Sequence, residues 1–341
     1  MEKQFEDIFK DKRILVTGGT GCIGGEIAKN LLKYKPKVVR IFSNDEDNTF
    51  RLSQELHDGK NTRFLIGDIR DKERLMVAMK DIDIVYHAAA LKHVPLCEYN
   101  PFEAIKTNVL GTQNVIESAL AAGVKKVINI STDKAVNPVN TMGATKLLAE
   151  KLMIDANFYK GASKTIFSNV RFGNVLFSRG SVVPLFEDQI RERKIVTVTD
   201  SKMTRFMMSI ENTIDLVFKA TLMAKGGEIF ILKMPVVKLG DLTEVIIQKY
   251  ADKYGYKPKE IKREIIGPRP GEKLFEELMT ESEAKKAFET KDMLIIPPQV
   301  EIEIELKASD YKNARISKLK RYISRDVKPL SKEGVKRLLF G

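Results

Sequence analysis

The chain has 341 residues, 43% hydrophobic and 30% charged, proportions of a folded globular protein that exclude long disorder and collagen-like repeats. No run of about 18 apolar residues occurs, so no transmembrane helix is expected, and the charged start MEKQFEDIFKDKR lacks the apolar stretch of a signal peptide. The net charge is +12, yet residues 306–341 hold eleven Lys or Arg against three Asp or Glu and carry +8 of it, which leaves the rest too balanced for a nucleic-acid binder.

Taken in chain order, the first 135 residues alternate short β-branched runs with helical patterns. Arg13–Thr17 reads as a strand and 24–32 as a helix. Strands follow at 38–42, Thr62–Ile66, Ile84–His87 and Lys126–Ile130, with a long amphipathic helix over 101–122 before the last. A helix over 142–159 and a strand over 164–171 complete the series. Strands separated by helices predict an α/β fold, a Rossmann-type doubly wound parallel sheet. The continuous apolar run Ile14-Leu-Val16 agrees, because parallel strands are buried on both faces. Beyond about Gly180 the alternation breaks up around Pro184, Gly226-Gly227, Pro258 and Gly267-Pro-Arg-Pro-Gly271. The expected organisation is a dinucleotide-binding domain over 1–180, a smaller substrate-binding lobe over 181–305 with some segments returning to the first domain, and a basic C-terminal extension over 306–341. That extension reads as a solvated face or arm, with an anionic partner or membrane surface as the sharper alternative. Cys22 and Cys97 make no disulfide framework and fit a reducing cytoplasm. With three histidines at unrelated spacings, they predict no metal site.

The strongest local signal is Thr17-Gly-Gly-Thr-Gly-Cys-Ile-Gly24, directly after the first strand and opening the first helix. Gly18, Gly21 and Gly24 allow a tight turn, close backbone approach to a pyrophosphate and helix–strand packing. The helix start around Thr20, Cys22 and Ile23 adds amide donors and a favourable dipole. The second strand ends in Ser43, Asn44 and Asp45 with no adjacent base, so NAD and NADP both stay open. Asp68, before Ile69, either approaches an adenine amine or caps the helix from Lys72. Ala88, Ala89 and Ala90 leave room for a cofactor after the fourth strand. His87 reads as a packed strand residue, and Lys92 and His93 as loop residues available to a substrate. The fifth strand ends in Ser131-Thr-Asp-Lys134, which delivers a hydroxyl, a carboxylate and an amine to the sheet edge where ligands bind. Met142 and Lys146 then share one helix face.

Gly-x-x-Gly-x-x-Gly with a Tyr-x-x-x-Lys helix defines the extended short-chain dehydrogenase/reductases, and this chain resembles them with Met142 at the tyrosine position. More narrowly, it resembles the CapD-like polysaccharide-biosynthesis branch, the UDP-N-acetylglucosamine 4,6-dehydratases. The matching stretches run from His87-Ala-Ala-Ala-Leu-Lys-His-Val-Pro95 through Ser131-Thr-Asp-Lys-Ala135, Met142-Gly-Ala-Thr-Lys146, Arg171-Phe-Gly-Asn-Val175, Ser178-Arg-Gly-Ser-Val182 and Met203-Thr-Arg-Phe206 to Arg269-Pro-Gly-Glu-Lys273.

The resemblance implies a tightly bound NAD or NADP that is regenerated each turnover. Hydride leaves sugar C4, a base removes the C5 hydrogen, an acid protonates the C6 hydroxyl so that water departs, and hydride returns to C6. By position it implies Lys134 as base, Asp133 as acid and Thr132 as hydrogen-bond partner of the C4 oxygen. Lys146 falls on the nicotinamide ribose, and Asn108 among the cofactor contacts. A lysine base needs a lowered pKa, expected from burial and the Lys146 charge. Met142 cannot transfer a proton, so the C4 proton passes to Asp133, Lys146, Thr132 or water. Lys92, His93, Asn174, Arg179, Val182, Arg205, Arg269 and Glu272 fall at the sugar-nucleotide cleft, the arginines suited to bidentate phosphate contact. The implied partners are a UDP-sugar, further copies of the chain in a homo-oligomer, and a downstream aminotransferase or reductase of glycan synthesis. An epimerase on the same scaffold and a non-catalytic nucleotide-binding scaffold are the alternatives.

Overall fold

The computed structural model describes residues 2–56, 60–178, 180–299 and 305–341. Its centre is built from short apolar runs, covered on both faces except in the edge strand Thr62–Ile66, where Arg63 and Ile66 are exposed. These are β1 (Arg13–Thr17), β2 (Val38–Ser43), β3 (Thr62–Ile66), β4 (Ile84–His87), β5 (Lys126–Ile130) and β6 (Ile166–Arg171). Ile14, Leu15 and Val16 in β1 and Val85 in β4 have no solvent exposure at all. The six strands are parallel in the order β3-β2-β1-β4-β5-β6. The chain reverses direction across the sheet between β1 and β4, and ligands of such sheets sit above that switch point. Beyond β6 come Ile229–Leu232, parallel to it, and then Met293–Ile296, Phe288–Glu289 and Arg315–Ile316, all antiparallel. This is the Rossmann-type doubly wound α/β fold that the alternation predicts.

The crossover helices are α2 (Cys22–Leu32), α3 (Glu46–Glu55), α4 (Lys72–Met79), α7 (Gly111–Ala121) and α8 (Thr141–Tyr159). Two short helices, α5 (Val94–Tyr99) and α6 (Pro101–Ala104), precede α7. A further helix at the N-terminus, α1 (Glu2–Phe9), escapes a reading based on charge. Its Phe5 and Phe9, four residues apart, pack against Tyr34 and Phe218 with ring centroids 4.8–5.8 Å apart. The expected single helix over 101–122 is also corrected. Ile105–Leu110 forms a π-helical turn between α6 and α7, an insertion that periodicity alone does not reveal and that often marks a functional site.

The smaller lobe has its own core, in which Val183, Phe186, Ile190, Val196, Leu242 and Ile246 are buried together. The basic segment 306–341 is folded into the molecule. Its Tyr322–Ile323 pairs with Glu277–Met279, and Val335 and Leu339 of the helix Lys332–Phe340 are buried in the lobe core. A buried ion cluster ties β6 to the segment leading into the lobe. Arg171, 1% exposed, donates to Glu150 at 2.6 and 3.0 Å, to Glu283 at 3.1 Å and to the Leu278 carbonyl at 2.8 Å.

Candidate active site

The glycine loop between β1 and α2 is a backbone cradle. Gly18 has φ +62°, and a Cβ there would lie 2.6 Å from the Ala89 nitrogen, so the loop touches the chain leaving β4. A Cβ on Gly24 would lie 2.3 Å from the Gly18 oxygen, which only glycine permits. The cleft above is about 410 Å³ and is lined by Gly18, Thr20, Gly21, Ser43, Asn44, Asp68, Ile69 and Ala88 to Ala90. Cys22, Ile23 and Gly24 begin α2, so they supply backbone rather than side chains. The Thr20 and Ser43 hydroxyls are hydrogen-bonded at 2.7 Å. Asp68 caps nothing, because Asp71 is the residue whose side chain caps α4 at the Arg74 nitrogen. Asp68 instead accepts from Asn44 at 3.2 Å and Arg70 at 2.7 Å. Burial pushes its pKa up, but Arg70 outweighs that and holds the carboxyl low. Bare backbone, small side chains and a helix N-terminus at the switch point fit a dinucleotide.

A second cleft of about 320 Å³ opens on the lobe side and is lined in part by Lys92, His93, Asp133, Lys134, Asn174, Arg205, Arg269, Glu272 and Glu276. The loop after β4 serves both clefts. Ala88 to Leu91 line the first and Lys92 to Pro95 the second, so Lys92 belongs to the second cleft. Asn108 touches neither. Buried in the π-helical turn, it accepts from the Leu91 nitrogen at 2.8 Å and donates to the Leu91 carbonyl at 3.0 Å and the Thr145 hydroxyl at 3.0 Å. It braces the shared loop.

The reactive groups sit where β5 ends. Thr132 donates to Asp133 Oδ1 at 2.7 Å. Lys134 Nζ donates to the same oxygen at 3.1 Å and lies 3.5 Å from Glu276 Oε1. The expectation of a lowered Lys134 pKa is overturned. Burial works to lower it, but the Asp133 and Glu276 charges outweigh burial and raise it. Burial likewise pushes Asp133 up, and the Lys134 charge with hydrogen bonds from Glu276, Thr132 and Lys134 brings it below the ordinary range. The pair therefore stands as ammonium and carboxylate. Lys146, by contrast, has a lowered value. Burial takes it to about 8 against the pull of Glu150, and its Nζ donates to the Ile130 carbonyl at 2.7 Å. Met142 is buried in an apolar cluster with Cys97 and Ala104, so it packs and takes no part in proton transfer.

The residues of the nucleotide side are arranged differently from expectation. Arg205 is engaged by protein groups. It donates to the Lys273 carbonyl at 2.9 Å and Glu272 at 3.3 Å, and its Nε lies 3.3 Å from Glu276. It clamps the loop 267–273 in place. Glu272 accepts from Arg205 and from the Arg269 backbone nitrogen, while Arg269 is exposed at the cleft mouth. Asn174 gives its amide to both Glu276 oxygens at 2.8 and 2.9 Å. Val182 packs against the lobe core rather than lining the cleft. Arg179 lies outside the described residues. Glu276 itself is the functional candidate that sequence reasoning misses, since it stands 142 residues from Lys134 and just past the motif ending at Lys273. Its only signal is the doubled acid Glu276-Glu277 in an otherwise apolar stretch.

A cradle for a dinucleotide beside a cleft with a carboxylate–ammonium pair defines an enzyme of the short-chain dehydrogenase/reductase type that acts on nucleotide sugars, the dehydratase/epimerase class. Residues 14–298 match the polysaccharide biosynthesis protein family, and the chain belongs to that family, in its CapD-like branch. It is 56% identical over 338 residues to an uncharacterized membrane protein of Methanocaldococcus jannaschii, covering 98% of each chain. It is 45% identical over 297 residues to an inverting UDP-N-acetylglucosamine 4,6-dehydratase of Campylobacter jejuni, covering 86% of this chain and 85% of that one. It is 40% identical over 340 residues to a UDP-glucose 4-epimerase of Rickettsia bellii, covering 98% and 96%. Among solved structures, Pen from Bacillus thuringiensis superposes with a TM-score of 0.90 at 51% identity over 97% of each chain. Among the described residues no helix is long and apolar enough to cross a membrane.

Proposed function

We propose that the protein is a UDP-N-acetylglucosamine 4,6-dehydratase that uses NAD or NADP held in the glycine cradle. The observation that carries this reading is the Asp133–Lys134 ion pair, 3.1 Å apart in the sugar-side cleft. Elimination across C5 and C6 needs a base and an acid side by side, whereas C4 epimerisation needs only the redox pair. The 45% identical dehydratase adds support. The bound nicotinamide supplies the hydride acceptor for C4 and the donor for C6.

The protein's own residues do the rest. Lys134 and Asp133 stand one proton away from the forms that elimination requires. Moving the Nζ proton to Asp133 Oδ1 along their hydrogen bond gives an amine for C5 and a carboxylic acid for the C6 hydroxyl. Lys146, on α8 with its Nζ at the Ile130 carbonyl of β5, orients the nicotinamide ribose, and Lys92, His93 and Arg269 face the sugar nucleotide.

The test is incubation with UDP-N-acetylglucosamine followed by mass spectrometry. The expected product has lost one water. Lys134→Ala lowers dehydration by about 10²–10⁴-fold, the usual worth of a positioned base, and leaves the dinucleotide bound. A product of unchanged mass with inverted C4 supports the epimerase, the reading that the 40% identical Rickettsia relative favours.

A further inference from the structure

The end of β2 is where a dinucleotide cradle meets the 2′ position of the adenosine ribose, an acid there favouring NAD and a neighbouring arginine NADP. Asn44, Asp45 and Asn48 line the first cleft at that end, and Asp68, Arg70 and Glu103 line it too. Among the described lining residues Arg70 is the one cation, against three carboxylates. Those acids hold its guanidinium. Nε and one terminal nitrogen donate to Asp68 at 3.0 and 2.7 Å, and the other terminal nitrogen donates to Glu103 at 3.0 Å. The nearby cations are directed elsewhere. Lys106 pairs with the same Glu103 at 2.8 Å, Arg74 donates to the Ile66 carbonyl at 2.9 Å, and Arg51 on α3 is exposed and does not line the cleft. The N-terminus of α3 would attract an anion, but Asp45 occupies it. Its carboxylate accepts from the Asn48 backbone nitrogen at 3.0 Å and from the Asn48 amide. Ser43, 7% exposed, bonds the Thr20 hydroxyl at 2.7 Å and accepts from the Asp45 nitrogen at 3.2 Å. Asn44 is exposed, and its amide donates to Asp68 at 3.2 Å.

From this geometry we propose that the cleft selects NAD over NADP, and that Asn44 and Asp45 set the choice. A 2′-phosphate adds a charge of about −1.5 to −2 at neutral pH. It would meet three carboxylates, a guanidinium already held by two of them, and a helix start already capped by an acid. Like charges brought together weaken binding. Re-aiming Arg70 at the phosphate would leave Asp68 and Glu103 facing the same anion. A 2′-hydroxyl needs only hydrogen-bond partners, which the short polar side chains of residues 43–45 offer. The preference holds whichever sugar reaction follows, since dehydratase and epimerase alike take up a hydride and give it back.

The experiment identifies by mass spectrometry the dinucleotide released from the purified protein, then titrates charcoal-stripped protein with NAD and with NADP by calorimetry. NAD should be the form released and should bind at least about tenfold more tightly. NADP as the released form, equal affinities or a tighter NADP overturn the proposal, and none of these measurements needs a variant to fold. Asn44→Arg brings a guanidinium to the strand end and should tighten NADP about tenfold with little change for NAD. Asp45→Asn keeps a side chain able to cap α3 and removes one charge, so it should also narrow the ratio of the two affinities. If both variants keep the wild-type ratio, charge at the end of β2 does not set the choice and the proposal falls. Protein that takes up neither dinucleotide refutes the cradle and the proposal with it. Protein that prefers NAD yet leaves UDP-N-acetylglucosamine unchanged upholds the proposal and refutes the dehydratase reading alone.

Discussion

At the end of β4, His87 is sealed between two hydroxyls. Thr112 gives its own proton to the Asn108 carbonyl at 2.7 Å, so it accepts from His87 Nε2 at 3.1 Å, and Thr17 donates to Nδ1 at 2.8 Å. The imidazole is neutral with the proton on Nε2. Burial, aided by the Lys146 charge, lowers its pKa to about 3, which removes it from acid–base work at neutral pH. The unfolded chain takes up a proton here below about 6.5 and the folded chain does not until about 3. Stability therefore falls as pH drops through that window, by about 1.4 kcal/mol per unit. In His87→Gln, urea unfolding between pH 4 and 6.5 should show that slope removed, while an unchanged slope would mean His87 ionises in place. At this scale the sequence is readable where one residue type has one use. Gly18 and Gly24 follow from the loop they build, and Lys134 from its neighbours in the strand end. The charge state of Lys134 is not readable, because it depends on Glu276, brought in from a distant loop.

The loop after β4 lines both clefts in turn, and the π-helical turn Ile105–Leu110 holds it through Asn108. An ordinary helix over 101–122 keeps a regular ladder and would point position 108 elsewhere. The extra residue per turn is the insertion that turns the amide onto Leu91. Asn108→Ala should cost about 2 kcal/mol in urea unfolding, the desolvation cost of backbone groups losing their partner. It should weaken sugar nucleotide and dinucleotide together in calorimetric titrations, because one loop serves both. Loss of only one affinity would show that the loop has independent halves. β1, β4 and β5 are legible to the residue because apolar runs buried on both faces have sharp ends. The π turn is not, since its apolar spacing is compatible with a continuous helix. Nor is α1, whose Phe5–Phe9 pair is diluted by charge.

Across the whole molecule, one apolar cluster runs from the parallel sheet to Phe206, Val236, Leu278 and Met279, and Arg171 adds a buried charged tie between β6 and the stretch 276–283. Its two glutamates come from α8 (Glu150) and from the helix Glu281–Ala284 (Glu283), and the Leu278 carbonyl belongs to the strand that pairs with Tyr322–Ile323. The same stretch, 276–283, carries Glu276 into the site, so this cluster fixes where the carboxyl 3.5 Å from Lys134 stands. A buried pair gains little over apolar packing, but removing one partner strands the rest. Arg171→Leu leaves Glu150 and Glu283 facing each other without a cation, and it should cost about 3–5 kcal/mol at neutral pH. The sign of its pH dependence is distinctive. Without Arg171 both carboxyls hold protons in the folded chain at pH values where the unfolded chain has released them, so stability falls as pH rises above about 4.3. The variant should lose less stability at pH 5 than at pH 8 in urea unfolding, and a deficit equal at the two values would mean that water has reached the cluster and screens it. Glu276 should be displaced with the stretch, so at pH 5, where the fold is best preserved, the variant should still dehydrate UDP-N-acetylglucosamine more slowly than wild type.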